Sequence, residues 1–143
     1  MSNPGPAVTN SAHPSNVTTD QTLRLLGSAK GVNANAVGYT PFQINNTNNY
    51  TPTQLIIANA NNGGAAVTAS STVLSITTAG NTSGVSIFSG VTATNNTSIL
   101  GITTNAISSP ATAYTGQNLY VDVTTAAGVP ATVDVYVYGL DFS

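Results

Sequence analysis

The sequence predicts an all-β fold: a single antiparallel β-sandwich or jelly-roll-like domain with an extended N-terminal arm. Three observations predict it. Helix formers are scarce, with no Glu, one Lys and one Arg, while Thr, Val and Ile are abundant. Short runs of β-branched and aromatic residues recur along the chain. Turn signals separate them at intervals of roughly ten residues, the spacing of sandwiches and barrels. The length of 143 residues allows one domain. A chain of this size hides roughly two-thirds of its unfolded surface, enough for a real core.

Residues 1–21 form the arm. Pro4, Pro6 and Pro14 lie among Gly, Asn, Ser and Thr, with almost nothing large to bury. Such a segment does not offset its own ordering entropy, so it is either disordered or ordered by a neighbour. The domain proper is expected over 22–143. Strands are expected at 22–28, 38–44, 54–60, 66–78, 85–89, 98–104, 118–125 and 131–140. Between them lie turn signals such as Asn45-Asn46-Thr47-Asn48-Asn49, Asn61-Asn62-Gly63-Gly64 and Ala79-Gly80-Asn81.

The strongest local signal is at the C-terminus. Leu119-Tyr120-Val121-Asp122-Val123-Thr124 alternates apolar and polar residues, as does Thr132-Val133-Asp134-Val135-Tyr136-Val137-Tyr138. Joined by the loop through Gly128, the two runs read as a hairpin. Symmetric pairing about Gly128 sets Val123 against Val133, Val121 against Val135 and Leu119 against Val137. The other face then pairs Tyr120 with Tyr136 and Asp122 with Asp134. A weaker echo links Ser71-Thr72-Val73-Leu74-Ser75-Ile76-Thr77-Thr78 to Thr97-Ser98-Ile99-Leu100-Gly101-Ile102-Thr103-Thr104. It reads either as duplication or as two strands in similar sheet environments.

Charge excludes several functions. Only 4% of residues are charged and the net charge is −2. Arg24 and Lys30 cannot neutralise many phosphates, so neither nucleic acid nor a membrane surface is expected as a partner. There is no Cys, hence no disulfide framework and no thiolate zinc site. The start Met1-Ser2-Asn3-Pro4-Gly5-Pro6 lacks a basic n-region and an apolar h-region, so no signal peptide is expected. The surface must be built from neutral amides and hydroxyls, which lets copies approach without a charge penalty and suits life in an assembly.

Few residues could carry chemistry. Asp122 and Asp134, placed opposite each other, would repel. A bound cation, a shared proton, or Arg24 or Lys30 as partner would relieve that, and so would simple exposure to water. His13 is the only histidine and lies in the arm, and no Gly-x-Ser-x-Gly elbow is present, so no catalytic residue and no cofactor are expected. Tyr120, Tyr136 and Tyr138 form an aromatic stripe with the two carboxylates. Tyrosine buries large area while keeping a polar tip, which suits an interface; cover by a loop or the arm of the same chain is the competing reading. With Asp122, Asp134 and the prolines of the arm, these tyrosines are the candidate contact residues.

Two stretches carry a resemblance. One is Gln54-Leu55-Ile56-Ile57-Ala58-Asn59-Ala60. The other runs from Asn118 through Gly128 and from Ala131 to the Tyr138-Gly139-Leu140-Asp141 ending. Together they resemble small head decoration (cement) proteins of tailed bacteriophages. The resemblance implies a compact β-sandwich or jelly-roll subunit, often a homo-oligomer, on the outer surface of the capsid. It implies the major capsid protein as partner, synthesis in the host cytoplasm, and neither enzymatic activity nor a cofactor. The alternative expectation is a fibre, tail-tip or adhesin-type module that binds glycan.

Overall fold

A computed structural model describes residues 23–45, 47–107 and 112–142. They form nine strands: β1 (Leu23–Asn33), β2 (Gly38–Gln43), β3 (Tyr50–Asn62), β4 (Ala65–Ala66), β5 (Val73–Thr77), β6 (Ser86–Thr92), β7 (Ile102–Ala106), β8 (Asn118–Thr125) and β9 (Thr132–Asp141). Every strand pairing is antiparallel. Sheet A runs β1-β9-β3, with β4 and β7 both pairing with β3; sheet B runs β2-β8-β5-β6. The two sheets pack face to face as a β-sandwich. No helix forms among the described residues.

Alternation places the core. Val133, Val135 and Val137 of β9 and Leu55 and Ile57 of β3 point inward from sheet A and are fully buried. Leu119, Val121 and Val123 of β8 meet them from sheet B, with Leu74 and Ile76 of β5. Fully burying each such side chain contributes roughly 1.5–3 kcal/mol.

The expected C-terminal hairpin does not form. β8 is the second strand of sheet B, between β2 and β5, whereas β9 lies between β1 and β3 in sheet A. The valines predicted to pair across a hairpin face the common core from opposite layers. Alternation shows that one face of a strand is buried; it does not show whether the neighbour is a paired strand or the facing sheet. The linker after β8 is pinned for the crossing. Ala127 N–H donates to Ala34 O (2.8 Å), Gly128 N–H to Asn35 Oδ1 (3.0 Å), and Ala34 N–H to Ala131 O (2.9 Å). It therefore crosses beside the β1–β2 connection, which also changes sheet.

Two other expectations change. Residues 66–78 are not one strand: the chain leaves sheet A after β4 and joins sheet B at β5. Buried Ala69 holds the crossing, donating its N–H to Asn96 O (2.8 Å). The strand expected at 98–104 starts only at Ile102, because a turn closed by Gly101 N–H to Ser98 O (3.0 Å) precedes it. The echo with 71–78 therefore joins an interior strand of sheet B to an edge strand of sheet A, and the two environments are not alike.

Tyr50, at the start of β3, is fully buried. Its hydroxyl donates to Gly116 O (2.6 Å), and its backbone exchanges bonds with Tyr114 in both directions (3.0 and 2.7 Å). Burial, and secondarily the Tyr114 phenol, push the Tyr50 hydroxyl up to about 12. The neutral form is thus favoured in the folded state. Between the ordinary value near 10 and about 12 the native chain binds more protons than the unfolded one, so stability falls as pH rises through that window. Alkaline titration followed by phenolate absorbance should show one tyrosine ionising last, together with loss of folded circular dichroism. Tyr50→Phe should remove that late step.

Candidate functional site

The structure separates the predicted site residues. Asp134, Tyr136 and Tyr138 lie on the outer face of sheet A. Tyr120 and Asp122 lie on the outer face of sheet B, with the whole sandwich between the two groups. The predicted pairings of Asp122 with Asp134 and of Tyr120 with Tyr136 are therefore overturned, and with them the reasons to look for a shared cation or proton. Pro4, Pro6 and Pro14 lie outside the described residues, as does His13.

Asp134 has a structural task. Both neighbours of β9 bulge beside it: β1 between Ala29 and Val32, and β3 between Ala58 and Asn61. Each bulge holds a residue with left-handed backbone, Gly31 (φ 68°) and Asn59 (φ 59°). Gly31 N–H donates to Asp134 Oδ1 (2.8 Å), and Asn59 Nδ2 donates to Oδ2 (2.9 Å). One carboxylate thus clasps two bulges, a tolerable conformation for Gly and Asn and a poor one for most other residues. Asp134→Ala is expected to cost about 2 kcal/mol, since both bonds are charge-assisted. Thermal unfolding of the variant checks it, and a shift within error of zero would rule the clasp out.

Arg24 does not partner either carboxylate of the predicted pair. Its Nε donates to Asp141 Oδ2 (2.9 Å), and its guanidinium also donates to the carbonyls of Asn45 and Leu25. Arg24 and Asp141 thereby anchor the end of β9 to the chain leaving β2. The Tyr-Gly-x-Asp ending is thus structural: Gly139 admits the neighbouring strand and Asp141 holds Arg24.

The outer face of sheet B is polar. Asp122 stands between Tyr39 of β2 and Ser75 of β5. Burial moves its carboxyl above the usual carboxylate range. The Tyr120 ring lies against Gly80, where an added Cβ would come within 3.0 Å of it, so a turn of the same chain covers this tyrosine.

The outer face of sheet A is different. Tyr136 lies opposite Ile56, Leu140 opposite Leu23, and Ala58 opposite Ile102. Tyr138 stands beside Tyr136 on β9, opposite Gln54. Leu23 and Ile102 are each 53% exposed. Asp134, the carboxylate in this field, is consumed by the clasp. The result is a largely apolar face with tyrosine hydroxyls as its polar tips. Sequence reasoning found its two tyrosines and missed Ile56, Ile102 and Leu23. A signal existed at Leu55-Ile56-Ile57: in a strand, three consecutive apolar residues make both faces apolar.

Among the described residues, no group of three His, Cys, Asp or Glu side chains is placed to hold a metal ion. Among the same residues, no helix is long and apolar enough to cross a membrane. Searches of family models, of curated proteins and of solved structures find no match to this chain.

Proposed function

We propose that this chain is a structural virion protein, a decoration subunit that cements the outer surface of a phage head, without enzymatic activity or cofactor. The observation that carries the proposal is the outer face of sheet A. Tyr136, Tyr138, Ile56, Leu140, Leu23 and Ile102 offer a largely apolar surface of the kind that binds by shape and apolar burial. Its proposed partner is the major capsid protein, and many identical copies would multiply modest individual affinity.

The test is quantitative mass spectrometry of purified particles from the source of the sequence. A copy number near that of the major capsid protein, or a simple fraction of it, supports cementing. A few per cent or less points to a fibre or tail component, and absence from particles overturns the virion reading. Attachment should also survive about 1 M salt, where the screening length falls to about 3 Å and surface ion pairs are lost. The double variant Tyr136→Ser/Tyr138→Ser should detach from shells while remaining folded.

A glycan-binding module is the second reading. What favours it is the other face, where Tyr39 offers a ring beside the Asp122 carboxylate. Binding on a glycan array that Asp122→Asn abolishes would favour this reading over cementing.

A further inference from the structure

We infer that β7 is the self-association edge of this protein: two copies pair their β7 strands antiparallel about a two-fold axis at Thr104, joining their A sheets into one. An edge strand presents unpaired backbone donors and acceptors, and natural sheets guard such edges with charge, proline, bulges or brevity.

The other edges here are guarded. β1 carries Lys30 and two register shifts, and Asn45 N–H reaches Leu26 O (2.7 Å) across it. β2 contains Pro41. β6 pairs with β5 through register shifts and turns at Gly90 (φ 61°). β4 has two residues. β7 has none of these devices. It pairs with β3 in unbroken register from Ile102 to Ala106, and its sequence, Ile-Thr-Thr-Asn-Ala, has no charge and no proline.

The register shows which groups point outward. Ile107 N–H donates to Thr53 O (2.8 Å), so residues 107, 105 and 103 turn their backbone groups toward β3. Ile102, Thr104 and Ala106 turn theirs away, and among the described residues no strand receives them. Exposed apolar side chains collect at the same edge: Leu100 is 86% exposed and Ile102 53%.

A second copy fits as occupant because a two-fold contact must be self-complementary. Pairing about Thr104 sets Ile102 of one copy against Ala106 of the other, and Thr103 against Asn105. No like charges meet, since neither β7 nor β3 beside it carries a charged residue. This inference stands independently of the capsid reading and needs only the purified chain.

The experiment is size-exclusion chromatography with light scattering on the full chain, alongside amide hydrogen exchange. The expected mass is twice the 14.3 kDa of one copy, with the Thr104 and Ala106 amides protected. Thr104→Pro removes an outward N–H and leaves the β3 ladder intact; Thr104→Lys places two like charges at the axis. Both should give monomers with unchanged circular dichroism and exposed Ala106 amides. A monomeric wild-type chain overturns the inference, as does a dimer that persists in both folded variants. If the variants fail to fold, exchange in the wild type decides: amides at 104 and 106 that exchange as fast at high as at low protein concentration overturn it.

Discussion

Gly139→Ala is expected to lower stability by about 3 kcal/mol, at the upper end of what one added methyl group costs in a packed interior. A Cβ at this position would strike the Thr51 carbonyl oxygen, Leu26 Cδ1 at 2.7 Å and Pro52 Cα at 2.8 Å. Two of these atoms belong to the backbone of β3, the strand paired with β9, so no rotamer change relieves the collision. β3 would have to move away from β9 where Arg24 and Asp141 anchor the end of the sheet. A urea midpoint shift of roughly 1–2 M is expected, from the usual slope for domains of this size. Gly116→Ala is the control, because its nearest neighbour to an added Cβ is Asn118 O at an ordinary 3.7 Å. An equal effect at both positions would sink the explanation by collision.

Asn96→Ala is the second large effect, also about 3 kcal/mol. Asn96 is fully buried in the β6–β7 connection, and both polar atoms of its side chain are hydrogen-bonded. Nδ2 donates to Ile57 O (3.2 Å) and Gly101 O (3.3 Å), and Oδ1 accepts from the Thr103 hydroxyl (2.6 Å). That hydroxyl in turn accepts the Asn95 N–H (3.1 Å). Truncation strands several buried polar groups at once, and each costs about 1–3 kcal/mol less whatever partner relaxation recovers. The residue holds the β6–β7 connection, so amides of β7 should lose protection before those of β9. Uniform loss across both strands would contradict this local role. Because β7 is the proposed self-association edge, the variant should also weaken the dimer.

Much of the fold was legible from composition and period. The strand at 118–125 falls where alternation puts it, and β9 departs from its expected span by one residue at each end. Both strands bury the predicted valines, because an alternating run has one solution for its apolar face wherever its neighbours lie. Turn chemistry at Asn61-Asn62-Gly63-Gly64 marked a real turn, but only Gly63 and Gly64, both at positive φ, make it; Asn61 and Asn62 still pair with β4 as the end of β3. The site was less legible. Tyr136 and Tyr138 were recognisable as outward residues, but their apolar companions come from strands distant in sequence. Asp134 looked like half of a repelling pair and is a clasp, because the two bulges it closes lie on β1 and β3.

By itself, then, the sequence determined the class of fold, the inward and outward sets of residues on β8 and β9, the scarcity of charge and the lack of a recognisable catalytic motif. These follow from local backbone preference, period-two alternation and residue supply. Only the tertiary structure decided that β8 and β9 belong to different sheets, that Asp122 and Asp134 never meet, and that β7, among the described strands, is left as an edge without charge, proline or bulge. The reason is geometric. A strand's buried face is satisfied equally by a paired neighbour or by the opposite layer, and the choice rests on long-range contacts that no local pattern encodes.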